Sequence, residues 1–226
     1  MPRAIPLNDI FQWEVRSWSR ALPLWLKYLP AQRPAGALGI GEREGGLSLW
    51  LAGEGLHVVC SDLNPFPDAT VELHRRHGVQ DLISYKLADA TALPFPDACF
   101  EVVVFKSVIG ALGSKEKQAV AIKEMHRVLK PGGVLLFAEN LHGTAFHRWL
   151  RKRFVAWDSY WRYLDVERDL DLFAPFARVD DATTGFLANL GRTEGQRALL
   201  ARFDGMVLPF VPKGMRTIWY GAAIKG

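Results

Sequence analysis

Between residues 36 and 140 the sequence alternates short apolar runs with segments of helical character. Two strands joined by a helical crossover lie parallel in one sheet, with the helix on one face. Such sheets are covered on both faces, so their strands are almost continuously apolar, as in the run EVVVF at 101–105. The alternation predicts an α/β fold with a doubly wound, mostly parallel sheet. The predicted strands are residues 36–40, 57–62, 83–89, 99–106 and 133–140.

Capping residues mark the helices between these strands. Pro67 stands in the first turn of a predicted helix over 67–78, and Gly78 ends it. Ser114 is the predicted N-cap of the helix after strand four, and Pro131 stops that helix. In parallel sheets ligands bind beyond the carboxyl ends of the strands. Those ends carry the glycine cluster at 39–45, Asp62, Asp89, Lys106 and Glu139-Asn140.

Composition excludes several classes of protein. The net charge of +4 over 226 residues is too small to indicate a nucleic-acid-binding surface by itself. Cys60 and Cys99 lie in apolar runs, so we interpret them as small buried side chains of a reduced chain, with no metal site. The start MPRAIPLND lacks the apolar segment of a signal peptide, and no run approaches the roughly 20 apolar residues that span a bilayer. The expected location is cytoplasmic.

Two flanking regions depart from the alternation. Residues 8–29 have apolar side chains near helical spacing, with Asn8 as N-cap and Pro23 as the break or restart. We predict one or two helices there, which either cover an edge of the core or form a lid over a ligand. A second helical face is predicted over 146–164, formed by Phe146, Leu150, Phe154, Trp157, Trp161 and Leu164. A basic, aromatic helix can lie on a membrane surface, but packing as an insertion over an active site is the favoured interpretation.

The segment ALGIGEREGG at 37–46 joins strand one to a helix with an open N-terminus. Glycines let a ligand approach the backbone, and the helix end presents free N–H groups. Asp62 follows at the spacing of an acid that binds both hydroxyls of a ribose, and Asp89 could accept from the exocyclic amine of a purine. A solvated strand end and a simple turn are the alternatives for these two acids.

Four ordered motifs together resemble class I S-adenosylmethionine-dependent methyltransferases over about residues 35–140. They are ALGIGEREGG, VVCSD, LADATALPFPDACFEVVVFKSVIGAL and EMHRVLKPGGVLLFAE. The most specific parts are LPFPDACFEVVV and RVLKPGG. The resemblance implies a Rossmann-like, seven-stranded sheet with an antiparallel last strand at one edge, which MRTIWYGAAIK could supply. It also implies S-adenosyl-L-methionine as cofactor and S-adenosyl-L-homocysteine as product.

The resemblance also implies the cofactor-binding residues. The turn would surround the methionine part, Asp62 and Leu63 would hold the ribose, Asp89 and Ala90 would contact the adenine, and the end of strand four would line the floor near the methyl group. The full predicted set is Gly39, Ile40, Gly41, Glu42, Gly45, Asp62, Leu63, Asp89, Ala90, Phe105, Lys106 and Ser107. The predicted parts of one domain are a helical lid over 1–34, the cofactor core over 35–140, an acceptor-side insertion over 141–190, and a helix and last strand over 191–226.

Three positions depart from the family pattern. Gly39 stands where the family usually has an acid, with Glu42 or Glu44 as substitutes, and Arg43 stands where it usually has glycine. Gly110-Ala111 stands where many small-molecule members have a histidine. Methyl transfer needs a base mainly when the acceptor is a hydroxyl. The candidate bases are His142, His147 and Lys106.

The leading hypothesis is methyl transfer to an O or N atom of a small or medium-sized acceptor, such as a sugar or glycan or a secondary metabolite. The alternative is a catalytically inactive binding or scaffold module. A nicotinamide-dependent oxidoreductase is disfavoured because the glycines do not follow G-x-G-x-x-G. The expected partners are a small molecule, no nucleic acid, a membrane surface in contact with 146–164, and a second copy in a homodimer.

Overall fold

The computed structural model describes residues 5–226, which form a seven-stranded sheet in the order β3-β2-β1-β4-β5-β7-β6. Strand β1 lies between β2 and β4 and is parallel to both, with Gly39 level with Cys60 and Val104. The predicted α/β, mostly parallel fold is therefore confirmed. The strands are β1 (Gly36–Ile40), β2 (His57–Asp62), β3 (Ile83–Leu87), β4 (Phe100–Lys106), β5 (Leu129–Asn140), β6 (Arg178–Thr184) and β7 (Ile218–Ile224).

The last strand, β7, is antiparallel to both neighbours, β5 and β6. Its antiparallel direction is confirmed, but its expected place at the edge is wrong, because β6 forms the edge. The sequences explain this order. β7 reads IWYGAAI and is buried along most of its length, whereas β6 reads RVDDATT and is only partly buried. The more polar strand faces solvent at the edge.

The N-terminal region contains three short helices instead of one or two longer ones. They are α1 (Leu7–Phe11), α2 (Val15–Trp18) and α3 (Leu22–Trp25). Positive φ angles of 57° at Gln12 and 47° at Glu14 separate α1 from α2. The prediction of Asn8 as N-cap is wrong, since Pro6 precedes the first helical residue. Pro23 lies in the first turn of α3, so it restarts the helix. Residues 1–4 of the predicted lid, which begin the stretch MPRAIPLND, lie outside the described residues.

The crossovers of the parallel sheet contain α4 (Gly46–Gly53), α5 (Asp68–Arg76) and α6 (Lys115–Val128). Ser114 caps α6 as predicted, because its hydroxyl accepts from the N–H of Lys117 at 3.3 Å. Helix α6 ends at Val128, before Pro131, because Leu129 already pairs with Phe100 in the sheet. Strand β5 is therefore longer than predicted.

Two hydrophobic layers cover the sheet. One contains Trp18 and Trp25 of the N-terminal helices with Leu47 and Leu51 of α4. The other contains Ile122 and Met125 of α6 with aromatic side chains, namely Phe105, Phe137, Phe173 and Trp219. Trp25 is fully buried and its indole N–H donates to the Gly221 carbonyl at 3.0 Å. Residues 8–29 were predicted either to cover an edge of the core or to form a lid over a ligand. Most of the aromatic side chains in this range pack on the core.

The region after β5 contains α7 (Ala145–Phe154), α8 (Val166–Asp169) and, after β6, α9 (Glu194–Val207). The predicted helical face over 146–164 is wrong in two respects. The helix ends at Phe154, and its buried side chains are the polar His147 and Arg151, while Phe146 and Trp149 are exposed. In residues 5–226 every helix is too short or too polar to cross a bilayer.

Candidate active site

The turn after β1 has backbone conformations that favour glycine, with φ of +66° at Gly41 and +69° at Gly45. The N-terminal segment lies directly against this turn, since a Cβ on Gly46 would be 2.1 Å from the Ile10 carbonyl oxygen. Arg43 is not among the positive-φ residues of 5–226. Its side chain is therefore tolerated where the family has glycine.

Glu42 occupies the space beside Gly39. A Cβ on Gly39 would lie 2.8 Å from Cγ of Glu42 and 2.6 Å from Oγ of Ser48, so no larger side chain fits there. The Glu42 carboxylate accepts from the N–H of Ser48 at 2.9 Å, which partly caps the helix end that the sequence predicted to be open. Burial raises its pKa to about 7. Within residues 5–226 it forms no ion pair. It is thus a buried acid with no cation at ion-pair distance among the described residues, although the charge of Lys106 acts on it from further away, whereas Glu44 is exposed.

The predicted ribose and adenine residues lie along the same edge of the sheet. Asp62 ends β2, and its Oδ1 accepts from the N–H of Asn64 at 2.8 Å. Asp89 follows β3, and its Oδ1 accepts from the N–H and the hydroxyl of Thr91 at 2.8 and 2.7 Å. These hydrogen bonds lower the pKa of Asp89 and keep it ionised. Leu63 is exposed and Ala90 is buried.

The end of β4 contributes residues with different surroundings. Phe105 is fully buried and stacks on Phe137, so it is a core residue. The Lys106 ammonium group lies 4.7 Å from the centre of the Trp13 ring and donates to the Phe11 carbonyl at 3.3 Å. Burial lowers the pKa of Lys106 to about 8, against the nearby charge of Glu42. Lys106 thereby ties the N-terminal segment to the sheet.

Ser107 lies next to Lys106 in a strained conformation, with φ of +56°. Its hydroxyl accepts from the Asn140 side-chain amide at 2.7 Å. The loop that follows is fixed by Glu139, whose carboxylate accepts from the N–H groups of Val108 and Gly110 at 2.9 and 3.2 Å. Backbone strain of this kind concentrates at functional sites.

Two cavities meet at Trp13 and Ser107, which line both. The smaller, of about 170 Å³, lies beside the glycine turn and is also lined by Gly41, Glu42, Gly45 and Lys106. The larger, of about 690 Å³, is open to α7 and the loop before α9. Asp62, Leu63, Asp89 and Ala90 lie outside the smaller cavity, along the open edge of the sheet. The larger cavity is lined by Glu14, Asn140, Leu150, Arg151, Phe154, Val155, Trp157, Trp161, Tyr163, Asn189, Leu190, Gly191, Arg192 and Arg197.

Glu14 is a residue that the sequence did not single out. It is buried with φ of +47°, and the Glu194 carboxylate accepts from its backbone N–H at 2.8 Å. Burial raises the pKa of its carboxyl to about 7, although Arg197 opposes the shift. The sequence signal for Glu14 is weak: it is an acid within the aromatic run FQWEVRSW. If that run were one amphipathic helix, an acid there would be expected on the solvent-exposed face, so it did not stand out.

The two predicted histidine bases do not line either cavity. His147 is buried, and its ring nitrogens contact the Thr144 hydroxyl at 2.7 Å and the Phe186 carbonyl at 2.8 Å. It forms a capping box with Thr144 at the start of α7. His142 is exposed, and its backbone N–H donates to the Leu164 carbonyl at 3.1 Å. Both stay predictions as bases, and the geometry gives His147 a structural role.

The place of the absent family histidine is filled by another side chain. A Cβ on Gly110 would lie 2.1 Å from Nε1 of Trp161. The indole of Trp161 therefore packs directly on Gly110 and forms part of the wall of the larger cavity. Restoring a histidine at 110 would displace this wall.

Comparison with known proteins gives matches to the part of the chain that contains the glycine turn beside the smaller cavity. A family model described as a methyltransferase domain matches residues 38–137. The chain is 40% identical over 90 residues to a ubiquinone/menaquinone biosynthesis C-methyltransferase UbiE of Pectobacterium carotovorum. That match covers 39% of this chain and 35% of the relative, so only about a third of the relative is represented.

Solved structures share the fold at low sequence identity. The phosphoethanolamine N-methyltransferase 2 of Haemonchus contortus, in complexes with S-adenosylhomocysteine and with S-adenosylmethionine, superimposes with a TM-score of 0.65 at 21% identity. It covers 92% of this chain and 52% of its own. The [4+2]-cyclase SpnF superimposes with a TM-score of 0.63 at 18% identity and covers 92% of this chain and 80% of its own. Both likenesses concern the fold.

Proposed function

We propose that this chain carries a class I S-adenosylmethionine-dependent methyltransferase domain, which binds S-adenosyl-L-methionine and methylates a small or medium-sized acceptor, since a methyltransferase-domain model matches residues 38–137. The cofactor would lie along the carboxyl edge of β1, β2 and β3, and the acceptor in the larger cavity. The observation that carries the proposal is the junction at Trp13 and Ser107, where the cavity beside the family's cofactor turn meets a second cavity large enough for an acceptor.

The residues of the turn fit a cationic cofactor. Glu42 is a buried carboxylate with no ion pair in the described residues, so an ammonium group of the ligand would supply the missing partner. In this proposal Asp62 would accept hydrogen bonds from the ribose hydroxyls, and Asp89 and Ala90 would contact the adenine. Gly39 and Gly41 leave no room for side chains, which keeps the turn close to the ligand. Glu42 thus takes the part of the acid that the family has at position 39.

When bound, S-adenosyl-L-methionine supplies a methyl group already activated by its sulfonium. The remaining work of the chain is to orient the acceptor, exclude water and remove a proton where the acceptor is a hydroxyl. Trp13 and Ser107 would hold the two reactants in line across the junction. An O or N atom is the proposed acceptor atom, in a sugar, glycan or secondary metabolite. Lys106, His142 and His147 stay predicted bases, and Lys106 is the one that lines a cavity.

Carbon is a second candidate for the methylated atom. The matched relatives are named C-methyltransferases of ubiquinone/menaquinone biosynthesis. Five aromatic side chains in the wall of the larger cavity favour a flat ring as acceptor, namely Trp13, Phe154, Trp157, Trp161 and Tyr163. The inactive binding module also stays open, since Gly39 stands where the family usually has an acid and Gly110-Ala111 where many members have a histidine.

Methyl transfer to a panel of acceptors tests the proposal. S-adenosylhomocysteine formation is measured with sugars, amines, phenols and quinols, and each product is analysed for the methylated atom. We expect S-adenosylhomocysteine to form with at least one class of acceptor, and we expect its formation to require Asp62. Binding of S-adenosylhomocysteine without transfer to any acceptor would support the inactive module instead.

The predicted surroundings of the protein need separate tests. A cytoplasmic location and a homodimer stay predictions, the latter to be checked by light scattering. Contact of α7 with a membrane surface is favoured by the exposed Phe146 and Trp149 beside the basic Arg148 and Lys152. Co-sedimentation with anionic vesicles that is lost in Trp149→Ser would support this contact, and equal sedimentation of both forms would oppose it.

A further inference from the structure

The larger cavity is lined by a buried cation that forms no ion pair within residues 5–226. Arg151 is 6% exposed, and its Nη1 donates to the Leu141 and His142 carbonyls at 2.7 and 3.0 Å. Its guanidinium lies 4.2 Å from the centre of the Tyr163 ring. Nη2 is buried and has no hydrogen-bond partner among residues 5–226. A buried guanidinium normally has a carboxylate or phosphate partner, so this donor awaits an anion.

A buried carboxylate lines the same cavity. Glu14 accepts from the Asn189 amide at 3.3 Å through Oε2, while its Oε1 is buried with no partner of hydrogen-bonding geometry in the described residues. Its backbone is locked from outside, because Glu194 accepts from the N–H groups of Glu14 and Val15 at 2.8 and 3.0 Å. The Glu14 side chain is therefore held in place with one oxygen uncommitted.

The other lining residues define the rest of the ligand. Arg192 and Arg197 add positive charge, so three arginines and one glutamate line the cavity. Arg192 lies 4.0 Å from the centre of the Phe154 ring, and Arg197 is 3.8 Å from Glu194. The aromatic walls favour a flat ring. An excess of cationic side chains favours a negatively charged ligand.

We propose that the acceptor is an aromatic hydroxy acid, whose carboxylate binds the buried Arg151 and whose hydroxyl donates its proton to Glu14. This inference rests on the proposed function and assigns the acceptor side of that same site. In the reaction, the acceptor O–H bond breaks and its proton forms a bond to Glu14. The acceptor oxygen forms a bond to the methyl carbon, and the carbon–sulfur bond breaks with its electron pair left on sulfur. The proton then passes from Glu14 to water.

The charges around Glu14 predict how binding depends on pH. Burial opposes the ionised form of Glu14, whereas Arg197 of α9, Arg151 of α7 and Lys106 at the end of β4 favour it. The Glu194 carboxylate lies against the backbone N–H of Glu14. Because Glu14 ionises near neutrality, a negatively charged ligand in the same cavity should bind more weakly as the pH rises. A neutral ligand of the same shape should not show this dependence.

The test uses the full chain saturated with S-adenosylhomocysteine and titrated with 4-hydroxybenzoate, with neutral 4-hydroxybenzamide as the matched ligand. We expect the acid to bind at least about 10-fold more tightly than the amide at pH 6, since a charged pair is replaced by a neutral one. Arg151→Gln should remove that preference, and Arg151→Lys should restore part of it. Arg153→Gln, an exposed arginine of the same helix, is the control and should change nothing.

Glu14→Gln tests the base. We expect it to abolish the pH dependence of acid binding between pH 6 and 8 and to lower the rate of methyl transfer to 4-hydroxybenzoate by roughly 10²-fold. Glu54→Gln, at an exposed site, should leave both unchanged. Rates equal to wild type in Glu14→Gln, or a wild type that binds the acid but transfers no methyl group, would overturn the role of Glu14.

The outcomes separate this inference from the proposed function. If S-adenosylhomocysteine does not bind, the proposed function fails. If it binds and the acid and amide then bind equally to the wild type, the cofactor site stands and the acceptor inference is overturned. Thermal unfolding of each variant identifies those that do not fold, and the comparison of acid and amide on the wild type needs no variant.

Discussion

The two sides of the Trp13–Ser107 junction differ in how they are encoded. The cofactor side is made from strand ends and one glycine turn, and residues 38–137 match a methyltransferase domain. The acceptor side is made from α1–α2, α7 and the loop before α9, almost wholly outside that match. The family model therefore describes most of the cofactor side, whereas almost all of the acceptor side lies outside it.

The N-terminal helices contribute to both sides of the junction. If they are also part of the core, replacing Trp25 should give the largest loss of stability among the variants considered. Trp25 is fully buried against the sheet and donates to Gly221. Trp25→Ala should lower the free energy of unfolding by about 3–5 kcal/mol. Chemical denaturation measures the change. A loss below about 1 kcal/mol would mean that 5–34 is a detachable lid, as one reading of the sequence allowed.

Gly39→Glu tests the cofactor side, because the family pattern and the structure predict opposite effects of this substitution on cofactor binding. The family pattern predicts tighter cofactor binding, but Glu42 and Ser48 fill the space that the new side chain needs. We expect binding of S-adenosylhomocysteine to weaken at least about 10-fold and stability to fall by about 1–3 kcal/mol. Calorimetry and denaturation measure these effects.

The double variant Gly39→Glu/Glu42→Gly is the control for that substitution. It moves the acid to the family position and vacates the space, so much of the affinity should return. Tighter binding in the single Gly39→Glu variant than in the wild type would show that Glu42 does not replace the missing acid.

Each side of the junction contains one buried acid, Glu14 on the acceptor side and Glu42 on the cofactor side, and both should make the stability depend on pH. Burial raises both pKa values from 4.5 to about 7, so the folded chain holds protons that the unfolded chain releases. The contribution of these sites to stability is therefore full below about pH 4.5, falls as the pH rises from about 4.5 to about 7, and levels off above that. Glu14→Gln or Glu42→Gln should each reduce that fall, by on the order of 1–3 kcal/mol between pH 5 and 8.

Denaturation at several pH values measures this dependence, and exposed Glu54→Gln is the matched control. The affinity for the cofactor should depend on the ionisation of Glu42 and not on that of Glu14, and it should increase as the Glu42 carboxylate ionises. An unchanged pH profile in both variants would contradict the burial of these two acids.

The smallest effect is expected at Trp149. This side chain is 58% exposed, so Trp149→Ala should change the free energy of unfolding by less than about 0.5 kcal/mol. His147→Ala on the same helix removes a capping contact and should cost about 1–2 kcal/mol. Thermal unfolding compares the two variants, and a larger loss in Trp149→Ala than in His147→Ala would contradict the burial of His147 and the exposure of Trp149.

Much of the cofactor side could be predicted because its signals are local. The apolar runs define β1, β2 and β4, and Ser114 and Gly78 mark helix ends, so each element is specified by its own residues. The place of Glu42 could not be decided locally, because it depends on the absence of space at Gly39 across the turn.

The acceptor side depends on contacts between distant segments. Arg151 is buried because carbonyls at 141 and 142 and the ring of Tyr163 receive its guanidinium, so α7 presents its aromatic residues outward. Glu14 is buried because Glu194, 180 residues away, holds its backbone. Helical spacing ranks faces by hydrophobicity and contains no information about such partners. For this reason the predicted face of 146–164 was wrong.

A calorimetric titration with S-adenosylhomocysteine tests the central claim most directly, namely that the glycine turn and Asp62 hold an S-adenosylmethionine-type cofactor. We predict binding of one ligand per chain with a dissociation constant in the roughly 1 µM to 1 mM range of enzyme substrates, weakened at least about 10-fold in Asp62→Ala. Asp68→Ala, in the first turn of α5, should bind like the wild type. No binding at millimolar ligand, or equal binding to Asp62→Ala, would contradict the claim.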